Sequence, residues 1–105
     1  MKLITKEILK RLPKLGDTAE KNSSEVKVPL KLFNPCGGES WFITEYDPES
    51  EIAFGYVTGV QFPELGYISI KELKSIRLKW GLTIERDMHW NMKTTLKEVM
   101  DGEKS

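Results

Sequence analysis

The sequence predicts an α+β fold in which an antiparallel sheet of three to five strands carries two or three short helices on one face. Apolar and polar residues alternate between Val26 and Leu32, as they do in a half-buried strand. Two further runs rich in aromatic and β-branched residues follow, separated by short turns that contain proline or glycine. Helix-capping signals stand at three places outside these runs. We expect a single α+β domain over residues 1–100 and a frayed C-terminal tail over residues 101–105.

The first and last predicted helices each begin at a threonine that can cap them. Thr5 can accept from backbone N–H groups that have no partner inside the helix. Pro13 should end this helix near Leu12, because proline cannot continue it. Thr95 and Glu98 have the spacing of a capping box, which predicts a short C-terminal helix from Leu96 to Met100.

The second predicted helix begins at Ser69, which forms a capping box with Glu72. Its apolar residues recur at helical spacing, and Gly81 can end it. The sequence therefore predicts a helix from about residue 69 to residue 81, with a buried stripe of Leu73, Ile76 and Trp80.

The three predicted strands cover residues 26–32, 41–46 and 52–60, and residues 16–25 are predicted to form a mobile loop. Pro29 lacks a backbone donor, which favours an edge position for the first strand. On the second strand, Phe42 and Tyr46 alternate with Trp41 and Ile43. If the helices cover the Trp41 face, Phe42 and Tyr46 form an exposed aromatic face that could bind a protein partner. A sheet covered on both sides is an equally open alternative.

Composition excludes several classes of protein. The 105 residues suit one domain, and a hydrophobic content of 39% with 30% charged residues is that of an ordinary globular protein. Sixteen basic and sixteen acidic residues cancel, so the total charge gives no general reason to expect nucleic-acid binding. A lone cysteine, Cys36, cannot form an internal disulfide, and the N-terminus does not have the pattern of a signal peptide. We therefore expect a cytoplasmic protein without membrane contact.

The densest group of polar side chains runs from Glu85 to Trp90 and contains the only histidine. On an extended segment, Glu85, Asp87 and His89 would point the same way and could bind a metal or do acid–base work. The alternative is that the charges pair and fix the path of the chain. We favour a structural or partner-binding role, and we predict neither a metal nor a cofactor. The candidate partner-binding residues are Phe42, Tyr46, Glu85, Arg86, Asp87, His89 and Trp90.

Three weaker patterns remain. A basic stripe along the first helix could contact phosphates, although such stripes are more often solvated; it comprises Lys2, Lys6, Lys10, Arg11 and Lys14. Four carboxylates from Glu45 to Glu51 are typical of a solvated acidic turn and lack the glycine and register of a calcium loop. Cys36 lies in a glycine-rich turn, where a structural or incidental role is the stronger interpretation.

Three segments carry a resemblance to a known family. They are Leu3 to Ile8 followed by Leu12-Pro13, then Phe54 to Gly59, and then Leu65 to Ser69 with Glu72-Leu73 and Gly81 to Asp87. Together they resemble a family of small bacterial proteins catalogued as a domain of unknown function and carried on plasmids, phages and integrative elements. The resemblance implies an accessory protein of a mobile element and brings no catalytic residues with it.

The leading hypothesis is a non-catalytic protein that binds a protein of the host or of the mobile element, one purpose being interference with host defence. Nucleic-acid binding by the basic helix is the first alternative. A small metal-dependent hydrolase or nuclease at Glu85, Asp87 and His89 is the second. Enzymatic activity is thus the less favoured class, and the chain is expected to be a monomer or a homodimer.

Overall fold

A computed structural model describes residues 1–102, which form three short helices and five strands. The helices are α1 (Lys6–Arg11), α2 (Ile70–Ser75) and α3 (Leu96–Met100), and a 3₁₀ turn covers Lys79–Gly81. The strands are β1 (Leu30–Phe33), β2 (Ser40–Asp47), β3 (Ile52–Thr58), β4 (Glu64–Ser69) and β5 (Glu85–Arg86). The predicted α+β class is confirmed. Residues 103–105 of the predicted frayed tail lie outside the described residues.

The five strands form one antiparallel sheet in the order β4-β3-β2-β1-β5. The predicted edge position of the first strand is wrong, because β1 lies between β2 and β5. Pro29 precedes β1 and therefore removes no donor from it. Residues 26–28 instead pair with the segment before α3, through bonds from Val28 N to Thr94 O and from Leu96 N to Val26 O, both 2.8 Å.

A β-bulge in β2 changes the face of the sheet on which the side chains after it lie. Ile43 pairs with Gly55 and Glu45 pairs with Phe54, so Thr44 is the extra residue. An inserted residue breaks the strict alternation of a strand. Tyr46 consequently joins Ile43 in one apolar cluster, whereas Phe42 belongs to another.

Apolar side chains pack on both faces of the sheet. The larger cluster holds Ile8 of α1 and Leu73 of α2 against Leu30 and Ile43. The smaller cluster holds Phe42 against α3 and the segment before β1; its buried members are Val26, Val28, Phe42, Leu96 and Val99. The helices are thus divided between the two faces rather than gathered on one.

The expected exposure of Phe42 and Tyr46 is wrong: their exposed fractions are 1% and 6%. Trp90 and α3 cover Phe42, and the bulge directs Tyr46 into the larger cluster. The aromatic face predicted for partner binding is therefore interior, and the alternative of a sheet covered on both sides is the one observed.

Helix α2 ends at Ser75, six residues before the predicted end at Gly81. The Ser75 hydroxyl donates to Glu72 O, and the guanidinium of Arg77 donates to Lys74 O and Ile76 O. These side chains satisfy carbonyls that a longer helix would use, so the chain can turn away. Trp80 is consequently 87% exposed instead of buried in a helical stripe.

The predicted caps are confirmed at all three helices. Thr5 accepts from Ile8 N. Ser69 accepts from Glu72 N, which is one of the two bonds of the predicted capping box. Thr95 and Glu98 form the complete reciprocal capping box. These local signals fix where each helix starts and therefore where the loops beside the sheet begin.

Candidate functional site

The predicted cluster from Glu85 to Trp90 is a turn anchored on β1. Asp87 Oδ1 accepts from His89 N at 2.9 Å, and Asp87 Oδ2 lies 3.7 Å from Lys31 Nζ. The backbone N–H of Asp87 donates to Lys31 O at 3.0 Å. Asp87 therefore fixes the path of the chain, which is the role expected if these charges are structural. In residues 1–102 no three His, Cys, Asp or Glu side chains are grouped so as to hold a metal ion.

The other members of this cluster also make intramolecular contacts. Trp90 Nε1 donates to Val28 O at 2.7 Å, and its ring lies 5.5 Å from that of Phe42. Arg86 donates through its guanidinium to Lys2 O, which ties the N-terminus to β5. Met88 and His89 remain exposed at the tip of the turn. Partner binding by this segment stays a prediction, and Met88 and His89 are the exposed residues through which it could occur.

The five basic residues near α1 are all exposed, as a phosphate-binding stripe requires. Arg11 lies 3.5 Å from Glu7, so part of its charge is offset within the helix. Exposure is equally the property of a solvated helix face. Nucleic-acid binding by these basic residues therefore stays a prediction.

An open cleft of about 350 Å³ lies on the α3 side of the sheet. Its walls come from the loop after α1, the strands β2, β3 and β4, and α3. Apolar side chains dominate the lining, among them Val26, Phe54, Leu65, Tyr67 and Met100. This volume falls in the range of sites that hold small molecules or side chains of a partner.

A buried carboxylate stands at the bottom of this cleft. Glu45 is 4% exposed, although its position suggested a solvated acidic turn, and the bulge beside Thr44 turns it inward. It accepts from Gly16 N at 2.8 Å, from Thr18 N at 2.9 Å and from the Thr18 hydroxyl. Burial raises the pKa of Glu45, but these three hydrogen bonds outweigh that effect and lower its pKa below 4.5.

The bonds to Glu45 define its chemistry. Three donors already occupy its oxygens, and the ionised form is favoured, so the group is poorly suited to transfer a proton. Instead it holds residues 16–18 against β2, and thereby fixes one wall of the cleft. The segment predicted to be a mobile loop is held to the sheet at this end.

Exposed apolar side chains surround the outer side of the cleft. Tyr67 is 75% and Phe62 72% exposed, and the ring of Tyr67 packs edge-on against Phe54 at 5.3 Å. Tyr67 lines both the cleft and a second hollow that Val60 and Phe62 border. We call this set the β4 surface; it comprises Val60, Phe62, Leu65, Tyr67 and Met100.

Trp80 is a third exposed aromatic residue, set apart from the β4 surface. Its φ of 58° lies in the left-handed region, which is unfavourable for a large side chain. It borders a hollow of about 470 Å³ that Cys36 and Arg77 also line. Cys36 is exposed there as a free thiol.

Sequence reasoning missed the β4 surface. Leu65 and Tyr67 are two residues apart in a segment that follows Pro63, and that spacing is a weak strand signal. Exposure of these side chains depends on β4 being the last strand of the sheet, which no local pattern records. Glu45 was missed because its burial depends on the neighbouring bulge.

Comparison with known proteins gives a family. Residues 3–103 match the family described as "Protein of unknown function (DUF2958)". No curated protein and no solved structure matches the chain. Among the described residues, no helix has the length and apolar character needed to cross a membrane. Because the match covers nearly the whole sequence, the chain belongs to the DUF2958 family of proteins of unknown function.

Proposed function

We propose that this protein acts by binding another protein through the β4 surface. The observation that carries the proposal is that the exposed apolar side chains of Leu65, Tyr67 and Met100 line an apolar cleft. Phe62, also exposed, borders a second hollow that Tyr67 lines as well. Exposed apolar patches beside clefts mark binding sites, and aromatic residues supply much of the binding energy at protein interfaces. The proposal keeps the mode of action expected from the sequence and moves it to different residues.

The chemistry of the cleft supports binding over catalysis. Its one buried carboxylate has all its hydrogen bonds inside the protein, and the apolar lining offers contact area. His89 lies on the turn after β5 and is not part of the cleft lining, whereas Glu45 lies on β2 and lines the cleft. The lining of the cleft is therefore better suited to binding than to catalysis.

The setting of this function is also part of the proposal. The family resemblance implies an accessory protein of a plasmid, phage or integrative element, acting in the bacterial cytoplasm. The partner would be a protein of the host or of the element, and interference with host defence is one purpose that fits this setting. What supports the setting is the resemblance alone, whereas the surface is argued from the structure.

Site-specific crosslinking in the native host tests the proposal. A photoreactive phenylalanine derivative replaces Tyr67 in one variant and Lys10, on the exposed face of α1, in a matched variant. We expect a discrete protein adduct from position 67 and none from position 10. A protein adduct from position 10 alone, or a nucleic-acid adduct there, would contradict the proposed surface and favour the basic helix.

A further inference from the structure

We infer that the β4 surface receives an extended, positively charged segment of its partner, which adds to the sheet as a strand beside β4. This inference rests on the proposed function and specifies the mode of binding. It concerns the backbone of β4 as well as its side chains. Addition of a strand to an exposed sheet edge is a recurrent mode of peptide recognition.

The backbone of β4 offers free hydrogen-bonding groups at its outer edge. Among residues 1–102, β4 is the terminal strand and pairs with β3 alone. Ile70 N donates to Glu51 O, on the β3 side. Phe54, the partner of Tyr67, directs its carbonyl the other way, toward the Thr44 hydroxyl on β2. Antiparallel strands alternate in direction residue by residue, so the N–H and C=O groups of Leu65 and Tyr67 point outward.

The cleft gives an added strand a place for its side chains. Leu65 and Tyr67 line the cleft, so the side chains of a neighbouring strand on the same face would lie beside them. Every second residue of the partner segment would thus contact Tyr67 or Met100. Apolar residues at alternate positions suit this lining, with polar residues between them.

The charged residues in the segments around the cleft favour a partner of positive charge. The segments that line it, residues 16–26, 64–69 and 96–102, together with Glu45, carry seven carboxylates and two lysines. The whole chain is neutral, so these segments are more acidic than the rest of the sequence. A segment containing lysine or arginine is therefore attracted, whereas a second copy of this chain would bring two acidic surfaces together.

Edge strands of this kind are usually protected. Lysine, proline or a bulge commonly blocks the outer edge of a sheet from unwanted pairing. β4 contains none of these over its six residues, and its only charged residue is Glu64 at the first position. An unprotected edge beside an apolar cleft is consistent with an edge that is used.

A selection of displayed random dodecapeptides on the purified full chain tests the inference. We expect enriched peptides to alternate apolar residues and to carry lysine or arginine, and their affinity to fall as salt rises. Binding is then measured on two variants at one position. Leu65→Pro removes an outward N–H that the free sheet does not use, whereas Leu65→Ala shortens the side chain and keeps that donor.

Strand addition predicts that Leu65→Pro binds peptide at least about tenfold more weakly than Leu65→Ala, because both variants lose the leucine side chain and only Leu65→Pro also loses the outward donor. Amide exchange supplies a readout independent of mutation. The N–H groups of Leu65 and Tyr67 should exchange fast in the free protein and slowly with peptide bound, while those of Gly66 and Ile68 are protected in both states.

Several results would overturn strand addition. They are enrichment of acidic peptides, equal affinities of the two Leu65 variants, or unchanged exchange at Leu65 and Tyr67. Self-association of the free chain that protects the same amides would replace the peptide by a second copy. If no peptide is enriched, the inference fails. The proposed function is judged separately, because crosslinking at position 67 also reports a folded partner that docks without pairing.

Discussion

At the scale of single residues, Glu45 is the side chain whose environment has the clearest consequence. Its carboxylate accepts two backbone N–H groups and a hydroxyl from residues 16–18. Removing a buried acceptor leaves those donors without partners, which costs more than the bond itself contributes. Glu45 therefore couples the stability of the fold to the shape of the cleft.

The pH dependence follows from the lowered pKa of Glu45. A group whose folded-state pKa is depressed adds stability above its ordinary pKa of 4.5, and this contribution is lost as pH falls through the folded-state value. We expect Glu45→Gln to lower the unfolding free energy by about 1–2 kcal/mol at pH 7, and the difference from wild type to shrink below pH 4.5.

Urea unfolding across pH measures this effect, with Glu20→Gln at an exposed position of the same loop as the control. A difference between wild type and Glu45→Gln that stays constant down to pH 3, about 1.5 units below the ordinary value of 4.5, would contradict the role assigned to the ionised carboxylate.

Trp90 gives a second prediction at this scale. Its indole N–H donates to Val28 O, and its ring packs on Phe42. Trp90→Phe keeps an aromatic ring but leaves that carbonyl without its donor, so we expect a loss of about 1–2 kcal/mol in urea unfolding. Met88→Ala, at a 68% exposed position of the same turn, should change stability by less than about 0.5 kcal/mol. Equal effects of the two substitutions would count against a structural role for Trp90.

At the scale of elements, the β2–β3–β4 pairing depends on the absence of a side chain at one glycine. A Cβ on Gly55 would lie 2.1 Å from Phe42 O, whereas a Cβ on its register partner Gly66 meets nothing within 4 Å. We expect Gly55→Ala to destabilise the fold by about 1–3 kcal/mol and Gly66→Ala to stay within about 0.5 kcal/mol of wild type. Thermal unfolding of the two variants is the measurement, and a Gly55→Ala protein as stable as wild type would contradict this close approach.

The turn at Lys79–Gly81 stores strain that a substitution can relieve. Trp80 has φ 58° and ψ 28°, a conformation that glycine adopts without a steric cost. Because the side chain is 87% exposed, little packing is lost, and Trp80→Gly should raise the unfolding free energy by about 1 kcal/mol. Lys79→Gly, at a neighbouring residue with ordinary φ, should lower it. Destabilisation by Trp80→Gly would mean that the indole packs on the hollow beside Cys36.

At the scale of the whole molecule, the segments that line the cleft are acidic, whereas the rest of the chain carries more basic than acidic residues. The cleft, with Leu65, Tyr67 and Met100 in its lining, lies on the α3 side, while the basic residues of α1 belong to the helix that packs on the opposite face. This division separates the proposed protein-binding surface from the surface that the nucleic-acid alternative would use. The two hypotheses can therefore be tested with separate variants.

How much the sequence predicts depends on the range of the interaction. Thr5, Ser69 and Thr95 act on backbone groups within a few residues, so their caps could be predicted. The face of the sheet on which the Tyr46 side chain lies could not be predicted, because the bulge arises from pairing between β2 and β3. The end of α2 was also missed, since propensity alone does not report how Ser75 and Arg77 satisfy its carbonyls.

The candidate site was less predictable than the fold for a related reason. An exposed apolar residue and a buried one can have the same local pattern, and Tyr67 differs from Phe42 only through its position on the last strand. Alternation correctly indicated the strand that holds Phe42, whereas the three predicted strands did not include residues 64–69. Which face is covered depends on α3 and Trp90, which are distant in sequence from both strands.

The central claim is that the β4 surface binds a protein partner, and affinity capture from the native host with three tagged proteins tests it most directly. They are the wild type, Phe62→Ser/Tyr67→Ser, and Trp80→Ser as an exposed aromatic control. With equal melting temperatures, we predict that the double variant recovers the partner at least about tenfold less well, and that Trp80→Ser recovers it like wild type. Equal recovery by the wild type and the double variant, or loss only with Trp80→Ser, would contradict the claim.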